Sequence, residues 1–250
     1  MSRKDREGMS KREMFREKRR QSQLRNRLIA IGLIVLGAAL VATFLILPTL
    51  QPVDVKPVTP LTRTQTDFNK IGDPNAPVKL DEYSDFQCPY CAHFSRDTEQ
   101  SVLDAYVATG KVFFTYHSVG EFIGPESSRA AEAAYCAGDQ NKFWEYHDYV
   151  LHNQVGENAG RFSDRRLGAF AEALSLDMNE FNSCFNNGKY KDMVRQDFAD
   201  ARALGIQSTP TFIISYQANG QTVTDQIQGA EAFSVFQQKL DAALAAAAAQ

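Results

Sequence analysis

Hydrophobic and polar residues fall along this chain in three regimes. The first is an unbroken apolar run: Leu28 to Leu47 is 20 residues without a charge, long enough at 1.5 Å per residue to cross a hydrocarbon layer of roughly 30 Å. The second, from Pro48 to about Lys70, has few large apolar residues and carries Pro48, Pro52, Pro57 and Pro60; it reads as a stiff, extended linker. The third begins near Ile71. Val78–Tyr83 alternates apolar and polar residues and predicts a strand, Asp85-Phe86-Gln87 a turn, and helical spacing then runs from Cys88 to about Ala108. Lys111–His117 predicts a second strand, so that strand, helix and strand suggest a parallel βαβ unit. Five helical stretches follow, Glu126–Ala137, Asn141–Asn153, Ser163–Leu174, Met178–Asn186 and Tyr190–Leu204, with breaks at Gly138, Gly156, Gly160 and Gly188. Thr211–Tyr216 and Thr222–Gln228 flank an Asn219-Gly220 turn, the pattern of a hairpin. A last helix starts near Ala230 and ends in the alanines of 242–249. The pattern predicts an α/β domain over residues 71–250, split by an all-helical insertion at about 120–205.

Charge gives the apolar run a direction. Residues 1–27 carry 11 Lys/Arg against 4 Asp/Glu, whereas residues 48–250 carry 16 against 26. By the positive-inside rule the basic segment 1–27 stays in the cytoplasm, residues 28–47 form a single transmembrane anchor, and the domain lies outside the cell membrane. A cleaved signal peptide is the competing reading, and Gly37-Ala38-Ala39 offers a small-residue cleavage site. The apolar run continues well past it, beyond the usual 7–15 residues of a signal peptide, which favours a retained anchor. Topology accounts for the basic flank, so no nucleic-acid partner is inferred.

Of the four cysteines, Cys88 and Cys91 alone sit close in sequence. If Cys88 opens a helix, Cys91 lies one turn later on the same face, within reach of a disulfide. Pro89 then takes the first helical position, where its missing N–H costs nothing. The helix N-terminus favours a thiolate at Cys88, making it a nucleophile and a good leaving group. Metal handling is the alternative chemistry for two such thiols, but a closed zinc site needs four ligands, and neither a second CxxC nor a paired His accompanies this one. No cofactor is expected. Cys136 and Cys184 fall in different predicted helices; outside the cytoplasm they are expected to form a structural disulfide rather than two buried thiols. The cluster Phe143-Trp144-Glu145-Tyr146-His147 reads as helix packing.

Cys88-Pro89-Tyr90-Cys91 at a strand-to-helix junction, followed by Thr209-Pro210-Thr211 opening a late strand, resembles the thioredoxin superfamily. Asp81-Glu82-Tyr83-Ser84-Asp85-Phe86-Gln87 before it, with the long helical insertion, is similar to the DsbA-type (DsbA/BdbD-like) thiol–disulfide oxidoreductases over about residues 71–245. The resemblance implies a thioredoxin-like fold, with Cys88 as the exposed nucleophile and Cys91 as the buried resolving thiol. It implies a cis Pro210 that sets the Thr209 backbone opposite Cys88, so that Pro89, Tyr90, Thr209 and Pro210 meet the substrate. Glu82 matches the family's buried acid, which exchanges a proton with Cys91; an exposed strand residue is the plain alternative. No role is assigned to His117. The Pro89-Tyr90 dipeptide is also similar to that of glutaredoxins and DsbG-type isomerases, so an isomerase or reductase is the alternative to an oxidase. The linker, standing where such isomerases carry a dimerisation domain, implies a monomer, and the anchor excludes a cytosolic glutaredoxin. Reduced secreted proteins are the implied substrates, and a quinone-linked membrane protein the implied reoxidising partner.

Overall fold

The computed structural model describes residues 11–50 and 53–249, so the first ten residues of the basic segment and residues 51 and 52 of the linker lie outside the described residues. The chain forms two compact units, residues 1–52 and 53–250. Among the described residues the first is one helix, α1 (Lys11–Leu50). Within it Met14–Leu47 is long and apolar enough to cross a membrane. The helix therefore starts well before the apolar run and continues through the basic residues.

The second unit is built on a six-stranded sheet in the order β1-β2-β4-β3-β5-β6. Its centre is β3 (Val78–Ser84), paired in parallel with β4 (Val112–Ser118) and antiparallel with β5 (Thr211–Ala218). Between β3 and β4 the chain runs through α2 (Pro89–Asp97), α3 (Glu99–Val102) and a π-helical turn at Leu103–Val107. The single helix predicted for this stretch is thus broken at Thr98, whose backbone leaves helical geometry and whose hydroxyl donates to the Glu231 carbonyl. α2 is held on the sheet by its inner face: the Phe94 ring lies 4.5 Å from Phe212 on β5 and 5.3 Å from Phe236 on α9 (Phe233–Ala248). Burying a side chain of this size contributes about 2–3 kcal/mol, enough to fix where the helix N-terminus points.

β5 and β6 (Gln221–Gln228) form the predicted hairpin, with Asn219 and Gly220 both at positive φ as a tight two-residue turn requires. The insertion between β4 and β5 is helical, comprising α4 (Pro125–Gly138), α5 (Phe143–His152), α6 (Asp164–Ala173), α7 (Met178–Asn186) and α8 (Lys191–Ala203). Gly138, read from sequence as a break, is the last residue of α4; a side chain there would strike the Phe68 ring. Phe143, Trp144, Tyr146 and His147 pack inward from α5, with Trp144 5.9 Å from Phe114 and His147 4.9 Å from Tyr116.

The linker reading needs correction. Residues 53–70 belong to the second unit. Asn153 clasps the backbone of Lys56 from both sides, at 2.8 and 3.1 Å, and the Leu61 amide donates to Asp148 at 2.8 Å. Two short strands, β1 (Thr66–Asp67) and β2 (Lys70–Ile71), then join the sheet edge beside β4. Proline-rich composition reported the extended conformation correctly; what it hid is that two buried polar side chains, Asp148 on α5 and Asn153 at its C-terminal end, capture the strap.

Candidate active site

The alternation of β3 decides which of its polar residues face inward. Val78 and Leu80 are core residues, and two residues further on the same face carries Glu82, 1% exposed. Its cross-strand neighbours are Tyr116 and Phe212, so the plain alternative of an exposed strand residue does not hold. Burial pushes the Glu82 carboxyl well above the ordinary range; the charges of Glu99 and Cys88 push the same way, against Ser84 and Arg63.

β3 ends in a turn closed by the Cys88 amide donating to the Asp85 carbonyl at 3.0 Å. Cys88 is the N-cap of α2 in extended geometry, and Pro89 begins the helix. Cys88 and Cys91 are both thiols in this structure and both buried, Cys88 at 6% exposure and Cys91 at 0%. The nucleophile is therefore less open than the resemblance implied, because Thr209 closes over it: the Thr209 carbonyl oxygen lies 3.3 Å from the Cys88 sulfur. The Thr209–Pro210 peptide is cis. Pro210 is buried, Thr209 half-buried, and Pro89 and Tyr90 are exposed on the outer rim, Tyr90 at 66%.

The two thiols are driven apart in acidity. Cys88 is lowered to about 6, first by the hydrogen bond from Cys91, then, against the desolvation of the site, by Thr209 and by the amides of Cys91 and Tyr90 in the first turn of α2. Cys91 is pushed well above the ordinary thiol range by burial, by its bond to Cys88 and by the charges of Cys88 and Glu82. One sulfur is thus prepared to attack and leave, and the other to hold a proton beside a carboxyl that can carry one.

Several groups at the site have no sequence signal of their own. Gln154 donates to the carbonyls of Phe86 at 2.5 Å and Cys88 at 3.1 Å, and Asn158 donates its amide to the Gln87 side chain at 2.5 Å. Both come from the loop between α5 and α6, some seventy residues from the turn they hold. Behind Glu82 lies a buried ionic cluster in which the Arg63 guanidinium bonds Glu99 at 2.6 Å and Asp148 at 2.7 Å and sits 4.8 Å from the Trp144 ring. Glu99, His147 and Asp148 bring ligand-type atoms within 4.8 Å of one another, but Arg63 already bonds both carboxylates. Away from the dithiol, Cys136 on α4 and Cys184 on α7 are joined as a disulfide with Cα atoms 5.8 Å apart.

A family model described as Thioredoxin matches residues 64–236. The chain belongs to this thioredoxin family. Among curated proteins it is 32% identical over 144 residues to the Na(+)/H(+) antiporter NhaA 1 of Salinispora arenicola, covering 58% of this chain and 21% of that protein. It is 28% identical over 150 residues to the probable disulfide bond formation protein D of Bacillus anthracis, covering 58% of this chain and 68% of that one. The chain spans about a fifth of the length of the first curated relatives it matches. Among solved structures the thioredoxin-family domain is similar to Wolbachia pipientis alpha-DsbA1, with a TM-score of 0.63 at 24% identity over 72% of this chain and 92% of that one. That likeness is one of fold: the thioredoxin sheet with helices inserted after the second strand of its βαβ unit.

Proposed function

We propose that the protein is a membrane-anchored, extracytoplasmic thiol–disulfide oxidoreductase that introduces disulfides into secreted or envelope proteins. The observation that carries this reading is the opposed acidity of two thiols one helical turn apart, with Cys88 at about 6 and Cys91 raised. In the oxidised enzyme a substrate thiolate attacks the Cys88 sulfur, the Cys88–Cys91 bond breaks, and its electron pair goes to Cys91. Glu82, kept protonated by burial, gives its proton to the Cys91 thiolate and recovers one from water. A second substrate thiol then attacks the mixed disulfide and Cys88 leaves as a stabilised thiolate. The extended substrate lies along the Thr209 backbone, against Pro210, Pro89 and Tyr90.

Stabilising the Cys88 thiolate stabilises the reduced enzyme, so its disulfide is oxidising. The couple is expected between about −200 and −100 mV, above the roughly −270 mV of thioredoxin. The enzyme works as a monomer and is reoxidised by a quinone-linked membrane partner, a role consistent with anchoring by α1 and with the basic segment on the cytoplasmic side. The disulfide between Cys136 and Cys184 is structural and takes no part in turnover.

The test is the division of labour between the thiols. Cys91→Ala in the full chain is expected to accumulate mixed disulfides with reduced substrate proteins, and Cys88→Ala almost none. Equal trapping by both would sink the assignment. A glutathione titration near the thioredoxin value, with little oxidative refolding of a reduced protein, would move the reading to a reductase or isomerase.

A further inference from the structure

Asp85 takes part in none of these steps, yet it is bonded to both thiol residues. Its carbonyl accepts the Cys88 amide at 3.0 Å, and its own amide donates toward the Cys91 sulfur at 3.4 Å. Its carboxylate is fully buried. One oxygen accepts the Gln87 amide at 2.8 Å and the Ser127 hydroxyl at 2.5 Å, and the other accepts the Ile123 amide at 3.3 Å. From there the bonds close on themselves: Gln87 donates to Ser127 at 2.9 Å and accepts the Asn158 amide at 2.5 Å, and Asn158 donates to the Ile123 carbonyl at 3.0 Å. This circuit ties the catalytic turn to α4 and to the loop between α5 and α6.

What the circuit lacks is a positive charge. Among the described residues the groups bonded to the carboxylate are an amide, a hydroxyl and a second amide, all neutral, and no Lys, Arg or His side chain is bonded to it. On its other side are the thiols of α2, with Glu82 beyond on β3. A charged carboxylate here and a thiolate at Cys88 oppose each other at this partly buried site.

Resting on the thiol–disulfide reading above, we infer that Asp85 is a positioning residue that governs how far the Cys88 thiolate is stabilised, opposing it when charged and releasing it when protonated. Burial pushes the Asp85 carboxyl up to about 7 against the bonds from Ser127, Gln87 and Ile123, and the Cys88 charge pushes it the same way. Its proton therefore changes hands near neutral pH. When a substrate dithiol reduces the enzyme, two electrons and two protons arrive and the Cys88–Cys91 bond breaks. One proton ends on the Cys91 sulfur and the other on Asp85, leaving a thiolate at Cys88. The oxidised enzyme returns both protons.

The experiment follows the thiolate absorbance of the reduced full-length protein in detergent against pH, together with its equilibrium with glutathione. Asp85→Asn keeps the shape and removes the charge. It is expected to lower the Cys88 midpoint by about one unit and to make the disulfide about tenfold more oxidising. Asp85→Glu should restore both toward wild type. Ser127→Ala removes the shortest bond favouring the charged carboxyl and should move the midpoint the same way by a smaller amount, which keeps the test valid if Asp85→Asn fails to fold. A midpoint unmoved or raised in Asp85→Asn, or in Ser127→Ala should the first not fold, overturns the inference. The wild-type midpoint tests the underlying reading separately: a Cys88 titrating in the ordinary thiol range would sink the proposed function, whatever the variants do.

Discussion

Asp85 and Asp148 are the same residue type, each buried, within one domain, and they are held in opposite states. Around Asp85 only neutral donors converge, burial dominates, and the carboxyl rises to about 7. Around Asp148 burial pushes the same way, but hydrogen bonds from His147 and Arg63 and the Arg63 charge hold the carboxyl well below the usual range. Desolvation sets the direction only until a cation arrives. The two regions divide labour accordingly. The Arg63 cluster pairs its charges and fixes the strap and α3 against α5, whereas burial raises the carboxyls of Asp85 and Glu82.

The largest effect should come from breaking the Arg63 cluster. Arg63→Met keeps most of the side-chain volume beside Trp144 but leaves the Glu99 and Asp148 carboxylates buried without their cation. Removing one partner of a buried ion pair typically costs about 3–5 kcal/mol. Urea unfolding of the full-length protein at neutral pH measures it, and a loss below about 1 kcal/mol would show the cluster to be ornamental. The pH dependence carries a sign. Because the folded Asp148 carboxyl is depressed, its contribution is present above the ordinary range near 3.9 and is lost as pH falls through the lower folded value. The wild type should therefore weaken in acid more steeply than Arg63→Met.

These two regions were not equally legible. The turn could be read because its chemistry is local: Cys88, Pro89 and Cys91 lie within one helical turn, while the buried acid Glu82 was implied by the resemblance and its place on the core face is seen only in the folded β3. The cluster could not. Arg63 stands 36 residues from Glu99 and 85 from Asp148, in a stretch whose prolines and threonines describe an unattached linker. Periodicity likewise fails for β1 and β2, two residues each, where the edge is completed by Asn69 donating its side chain to the Tyr116 carbonyl at 2.6 Å. Asp85 is an intermediate case. An Asp two residues before Gln87 signals a side-chain-to-amide turn, but its bond to Ser127 joins residues that only the folded insertion brings together.

A third region sets a cation between two acids. The sequence alone assigns no role to His117. Its ring is stacked 4.8 Å from Tyr83, with Asp197 at 3.1 Å and Asp81 at 3.4 Å on its two nitrogens. Burial lowers its pKa, but the bonds and charges of Asp197 and Asp81 outweigh that and raise it to about 9. Since the folded value lies above the unfolded 6.5, the stabilisation is complete below pH 6.5 and is lost as pH rises through about 9. The rise corresponds to about 3 kcal/mol; a ring 24% exposed brings that to about 2. His117→Phe keeps the stack on Tyr83. Its destabilisation should be clear at pH 6 and nearly absent at pH 10, and a constant difference across that range would assign the effect to packing instead.

The smallest effect on stability is expected at Glu82, where it should be a gain. The unfolded carboxyl ionises near 4.3, whereas the folded one, desolvated and facing Glu99, is raised well above that. The unfolded state thus sheds a proton that the folded state keeps, so the wild type loses stability as pH rises from 4.3 toward the folded value. Gln at this position has no proton to shed. Glu82→Gln should match or fall slightly below wild type at pH 4 and exceed it by on the order of 1 kcal/mol at pH 8. Oxidation of a dithiol substrate should fall at the same time, by about a hundredfold or more if the carboxyl carries the Cys91 proton in the slow step. A more stable and slower enzyme would mean that Glu82 stays buried without a cation because the reaction needs its proton. A variant both less stable and fully active would make Glu82 a structural residue and leave the Cys91 proton to another carrier.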